Sequence, residues 1–185
     1  GRANFITSRG YLSIRICPYI PGLAFCYTYL MKRIHIYDLD GVLVDTSHRY
    51  RNLENGTIDL TYWLENARPE KIALDTLLPL AAQYKADLTD PDTYVVICTA
   101  RQAQQADFDY IANRLGNPNK IIYRPTGNME ADAKLKRRGL CKLLNLRQFQ
   151  NITRKFWDDN KKNLNAVADL GLQLIHVKSS ICEAD

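Results

Sequence analysis

YDLDGVLVDT, residues 37–46, decides how the rest of the chain is read. It places Asp38, Asp40 and Asp45 close together, directly after the apolar, β-like run RIHIY (33–37). Carboxylates this close repel one another. The stretch is therefore either an acidic turn or part of a site that holds a cation, and the residues that follow choose between the two.

Outward from this point the pattern alternates strand and helix. SHRYRNLEN (47–55) reads as helical, with Thr46 or Ser47 as its N-cap. KIALDTLLPLAAQY (71–84) has apolar residues at helical spacing and a kink expected at Pro79. TYVVIC (93–98) is a β-branched, buried-looking strand, and QAQQADFDYIANRLG (102–116) a helix stopped by Gly116. KIIY (120–123) is a strand, AKLKRRGLCKLLNL (133–146) a helix despite Gly139, and RKFW (154–157) a strand. KNLNAVADLG (162–171) is a helix and LQLIHV (172–177) a last strand. Repeated β-α units predict an α/β fold, a parallel sheet of about five strands with helices on both faces.

Ligands in such folds bind beyond the carboxyl ends of the strands. Asp38 and Asp40, Thr99, Arg124, and Asp158 with Asp159 each follow a predicted strand. Acids from two strands can then meet and hold a cation, and a set of hard carboxylate oxygens suits Mg²⁺.

Composition narrows the class. The chain has 185 residues, 46% hydrophobic and 24% charged, which reads as one globular domain with a real core. Its net charge is +5. Arg2, Arg9 and Arg15 supply three of those charges without any acid among residues 1–30, leaving 22 basic against 20 acidic residues. Global charge therefore selects no partner. Five cysteines without zinc-type spacing suit reduced thiols in a cytoplasm. No run approaches the ~18 apolar residues of a membrane helix. Residues 1–30 contain Pro18, Pro21 and Gly22 and show no clean period, so they are expected to be a non-native or dispensable extension. The working domain is then 31–185.

DLDGVLVDT (38–46), VVICTAR (95–101) and FWDDNKKNL (156–164) resemble, in order, the first, second and fourth motifs of the haloacid dehalogenase (HAD) superfamily. Within it, SHR after the first motif, TAR in the second and RPTGN before a lysine are most similar to small phage and bacterial phosphatases, like the 3′-phosphatase domain of phage polynucleotide kinase. The resemblance covers roughly 32–178 and implies a HAD-like Rossmannoid fold. It also implies a phosphomonoester hydrolase that passes through an aspartyl-phosphate.

In that chemistry Asp38 is the nucleophile and Asp40 the general acid and base. Gly41 lets the backbone turn beside the phosphate. Thr99 binds a phosphate oxygen, with Arg101 and Arg124 as further phosphate or substrate contacts. A lysine must offset the negative charge. Lys134, Lys136 and Lys142 compete for that role, and Lys136, which follows Leu135 and lies four residues after Asp132, fits best. Asp38, Asp40, Asp158 and Asp159 form the expected Mg²⁺ site, with Asn163 ordering the loop or capping the next helix.

Only roughly 47–70 is left for a small, mostly helical cap, which leaves an open site. His48 and Arg49 either line its entrance or are solvated at a helix start. Tyr50, Tyr62, Trp63 and Arg68 either grip a base or form the cap core. Between Lys134 and Trp157 there are eight basic residues and no acid, which could track a polyphosphate backbone or form a solvated helix face. These features point to a nucleic-acid 3′-phosphate or a nucleotide as the phosphorylated substrate. A 5′(3′)-deoxyribonucleotidase or another small-molecule phosphatase is the alternative, and a non-catalytic nucleic-acid-binding module the reading from a different class. No P-loop signature for a kinase is present.

Overall fold

The computed structural model describes residues 31–54 and 58–179. It also describes the backbone of two short antiparallel strands, β1 (Asn4–Thr7) and β2 (Gly10–Ser13). The expectation that residues 1–30 are dispensable otherwise falls outside the described residues.

Five strands form one parallel sheet: β3 (Arg33–Tyr37), β6 (Thr93–Cys98), β7 (Lys120–Ile122), β8 (Thr153–Asp158) and β9 (Gln173–His176). Their order is β7-β6-β3-β8-β9, so β3 is central. The chain runs outward from β3 through β6 to β7, then returns to the other side of β3 as β8. Tyr37 pairs in register with Ile97 on one side and Trp157 on the other. The residues just beyond these positions, Asp38, Cys98 and Asp158, therefore emerge side by side at one sheet edge.

Alternation along the strands divides the core. Ile34, Ile36, Val96, Cys98 and Phe156 pack with Leu140, Leu143 and Leu144 of α5 (Asp132–Leu144) and Leu164 of α6 (Lys161–Ala166). Tyr37, Val95, Ile97 and Trp157 pack on the opposite face with Tyr84 of α3 (Leu80–Thr89) and Tyr110 of α4 (Gln105–Tyr110). The Tyr37 and Trp157 rings stack across the β3–β8 pair with centroids 4.5 Å apart. Gly139 has a packing reason: a Cβ there would meet Ile122 Cγ2 at 2.5 Å. The glycine lets α5 lie directly on β7. α4 continues into a π-type turn over 111–115 and stops at Gly116, whose φ of +94° favours glycine.

Two local expectations are overturned. The helix expected over 47–55 does not form across the described residues 47–54. The segment holds a single turn, Ser47–Arg49, and then an extended stretch in which Asn52 bridges to Ile58. The reason is Arg49: its side chain is fully buried on Asp75, which holds the backbone out of a surface helix. Likewise 71–84 is not one kinked helix. It divides into α2 (Pro69–Ile72), β5 (Thr76–Leu77) and α3, because β5 pairs antiparallel with β4 (Val44–Asp45). The cap is thus less helical than expected, with α1 (Leu60–Glu65) and α2 as its helices.

Candidate active site

Asp38 ends the central strand, with its N–H donating to the Trp157 carbonyl at 2.9 Å. Asp158 ends β8 and Asp159 follows it. All three acids are buried, and one oxygen from each carboxylate lies within 4.8 Å of the others. Lys136, 1% exposed on α5, reaches between them: Nζ is 2.9 Å from Asp38 Oδ1 and donates to Asp158 Oδ2 at 2.7 Å. Lys134 and Lys142 do not line this cavity. Asn163 Nδ2 donates to both Asp158 oxygens, at 3.1 and 3.2 Å, and the Asn160 N–H donates to Asp158 Oδ1 at 2.8 Å. Asn163 therefore orders the acid that orders the lysine.

Electrostatics follow from this crowding. Burial pushes the Asp38 carboxyl well above the usual carboxylate range; Lys136 pulls it back, while Asp158 and Asp159 push it up again. Burial works against the Lys136 ammonium too, but Asp38 and Asp158 outweigh it, so the amine stays protonated. Three carboxylates against one ammonium leave surplus negative charge in a dry place. The donor set is all hard oxygen, which fits a magnesium ion.

The carboxylate of Asp40, expected at the metal site, is engaged by Arg101. Arg101 holds Asp40 through Nε at 3.2 Å and through a closer Nη2 contact. Burial alone would raise the Asp40 carboxyl, but the Arg101 charge outweighs it and holds the group below its ordinary value. Arg101 is not a solvated residue either: its Nη1 donates to Asp107 Oδ1 at 2.6 Å and its Nη2 lies 3.5 Å from Asp75 Oδ2. Asp75 also receives both forks of Arg49, at 2.7 and 2.8 Å, and lies 2.8 Å from His48 Nε2. His48 and Arg49 are therefore network members.

Asp75 and Asp107 escaped the sequence reading. Asp75 could have been noticed as the lone acid in an apolar run. Asp107 could have been noticed as the third helical residue after Gln104, with which it forms a reciprocal cap.

Thr99 is buried at the end of β6, and its Oγ1 accepts from the Arg101 N–H at 3.0 Å. Arg124 lines the cavity but binds the chain itself: Ala100 O at 2.9 Å, Glu130 O at 2.6 Å and Asp132 Oδ1 at 2.6 Å. Two members of the basic stretch are similarly committed. Arg137 pairs with Asp169 and Arg138 with Glu130. The cavity has a volume of about 410 Å³ and reaches from Asp38 and Lys136 to Tyr50, Trp63 and Met129. Tyr62 instead lies under the Arg51 guanidinium, 4.4 Å from centroid to Cζ.

The parallel sheet with its strand-end acids and buried lysine has the arrangement that the resemblance to haloacid dehalogenase-like phosphatases leads one to expect. Residues 25–180 match the family described as bacteriophage T5 5′-deoxynucleotidase, and the chain belongs to that family. The 5′-deoxynucleotidase of Escherichia phage T5 is 34% identical over 84 residues, 44% of this chain. The match spans only 34% of that relative's length. Among solved structures, a chain of the Pnkp1/Rnl/Hen1 RNA repair complex aligns with TM-score 0.56 and 18% identity, over 83% of this chain and 47% of its own. A predicted phosphatase from Clostridium acetobutylicum aligns at 0.54 and 13%, over 79% and 84%. Both are likenesses of fold. No helix among the described residues is long and apolar enough to cross a membrane.

Gly41 tests how tightly this site is built. Its φ is +73°, and a Cβ would collide with the Asp159 carboxylate and the Ser179 hydroxyl. Gly41→Ala is expected to cost about 1–2 kcal/mol of stability through backbone strain and to displace Asp159, so that phosphate release from a monoester falls at least roughly tenfold. Steady-state kinetics beside a denaturation curve checks both, and unimpaired turnover would contradict the packing described.

Proposed function

We propose that the protein is a Mg²⁺-dependent 5′-deoxynucleotidase working through an aspartyl-phosphate on Asp38. The observation that carries this is the Lys136 ammonium set between Asp38 and Asp158 at the carboxyl edge of the sheet. The 5′-deoxynucleotidase named for the T5 relative supports the substrate class. A polynucleotide 3′-phosphate is the weaker reading. Among the described residues, every lysine and arginine lining the cavity (Arg101, Arg124 and Lys136) is paired with a carboxylate of this chain, which leaves none of them for a second phosphate.

Asp38 attacks phosphorus, and the bond from phosphorus to the nucleoside 5′-oxygen breaks. The leaving oxygen takes a proton from Asp40; a water, giving its proton to Asp40, then attacks phosphorus, the bond from phosphorus to the Asp38 oxygen breaks, and inorganic phosphate leaves with the Asp38 carboxylate restored. Lys136 stays charged throughout and offsets the phosphoryl oxygens. Thr99 accepts from the Arg101 amide, so its own hydroxyl proton is available to a phosphate oxygen. Mg²⁺ bound by Asp38, Asp158 and Asp159 would supply the further positive charge that keeps Asp38 ionised beside the phosphate. Arg101 has two consequences: it aims Asp40, and it disfavours the protonated form that the first step needs.

Asp38→Asn should abolish turnover of a deoxynucleoside 5′-monophosphate with the fold intact. The wild type, quenched in acid, should carry acid-stable, alkali-labile phosphate. Turnover in the variant, or no trapped phosphate under single-turnover conditions, would exclude the covalent route.

The pH dependence has a stated sign. Arg101→Lys keeps a charge in the network but loses the two-pronged hold, so Asp40 should titrate higher. The alkaline limb of kcat/KM should then move to higher pH. A limb that stays in place or moves down would remove Arg101 from control of the acid.

A further inference from the structure

The cap helix α1 buries none of its residues. Leu60 and Leu64, one turn apart on one face, are 57% and 56% exposed, and both line the cavity whose floor is Asp38. Met129 lines the same cavity at 87% exposure. Its exposure is built in: Arg124 donates to the carbonyls of Asn128 and Glu130 on either side, so the loop presents the thioether from a fixed backbone. Trp63, the apolar lining between the two leucines in sequence, is pinned by Arg49, whose Cζ lies 4.4 Å from the ring centroid. Three large apolar side chains held exposed along the cavity that contains Asp38 and Lys136 cost solvation unless something covers them.

We propose that Leu60, Leu64 and Met129 form the subsite for the nucleobase, gripping it by apolar and sulfur–aromatic contact. This deepens the nucleotidase reading and rests on it. Continuity with the reacting carboxylates argues for this occupant: one molecule must put its phosphate on Asp38 and its far end on this wall. A cavity of about 410 Å³ fits a mononucleotide-sized ligand. The base is flat, uncharged and polarisable, which suits leucine and methionine. Because all three side chains are well exposed, polar replacements should leave the fold unchanged.

The test compares a deoxynucleoside 5′-monophosphate with 2-deoxyribose 5-phosphate, which lacks the base, each with Mg²⁺. Wild type should favour the nucleotide by roughly tenfold or more in kcat/KM. The pair Leu60→Ser/Leu64→Ser, and separately Met129→Ser, should lose most of that preference through KM, with kcat and the sugar-phosphate rate unchanged. Equal kcat/KM for both esters in wild type, or a preference that survives the substitutions, would overturn the subsite while leaving the phosphatase standing. If neither ester is hydrolysed, the nucleotidase reading fails, and calorimetric binding of the nucleotide to Asp38→Asn protein decides. Binding weakened by the leucine substitutions upholds the subsite; unaltered or absent binding overturns it.

Discussion

Three buried acids crowd around one ammonium that pairs with two of them, and that imbalance organises the molecule. Removing a charge from water costs several kcal/mol, which only close pairing and full hydrogen bonding can offset. Lys136 offsets part of it for Asp38 and Asp158, and Asn163 with the Asn160 amide satisfies what remains of Asp158. The elements around the site exist to hold this arrangement. β3 and β8 run parallel in a fixed register, so their terminal acids emerge together. Gly139 brings α5 close against β7, and α5 carries Lys136. Gly41 leaves the space that Asp159 occupies.

A second buried network joins the cap to the catalytic strand. Asp75 lies between the cap helices and α3, receives Arg49 from the turn after the first motif, and sits near Arg101, which holds Asp40. The Tyr110 hydroxyl donates to the Asp75 carbonyl at 2.7 Å and fixes that backbone from α4. The general acid of the proposed reaction is therefore aimed by residues from three separate stretches of chain.

How much of this was legible varied with the range of the interaction. The sheet strands and their acids could be read because alternation and strand-end position are local signals; Asp38, Thr99 and Asp158 stand where the β-α pattern puts them. Lys136 could be singled out because the Asp132, Leu135, Lys136 spacing resembles that of the family and is local in sequence. The turn at 47–49 was not, since the burial of Arg49 depends on Asp75, 26 residues away. The division of 71–84 depends on β5 pairing with β4, again across a long separation. The pairing of the Asp40 carboxylate could not be read for the same reason: its partner, Arg101, is 61 residues distant. The basic stretch left a polyphosphate track and a solvated helix face both open, because Asp169 and Glu130, which take up Arg137 and Arg138, lie outside it in sequence.

The central claim is that surplus negative charge at Asp38, Asp158 and Asp159 is completed by a divalent cation. The most direct measurement is thermal unfolding of the protein, with no substrate present, across a Mg²⁺ titration. A ligand that binds only the folded state stabilises it by RT ln(1 + [L]/Kd), about 2.7 kcal/mol at a hundredfold excess over Kd. The account predicts a Tm that rises with Mg²⁺ by this logarithmic law. The rise should be lost in Asp158→Asn/Asp159→Asn protein, measured against that variant's own metal-free Tm. A Tm indifferent to Mg²⁺, or an increase that persists in the double variant, would contradict it.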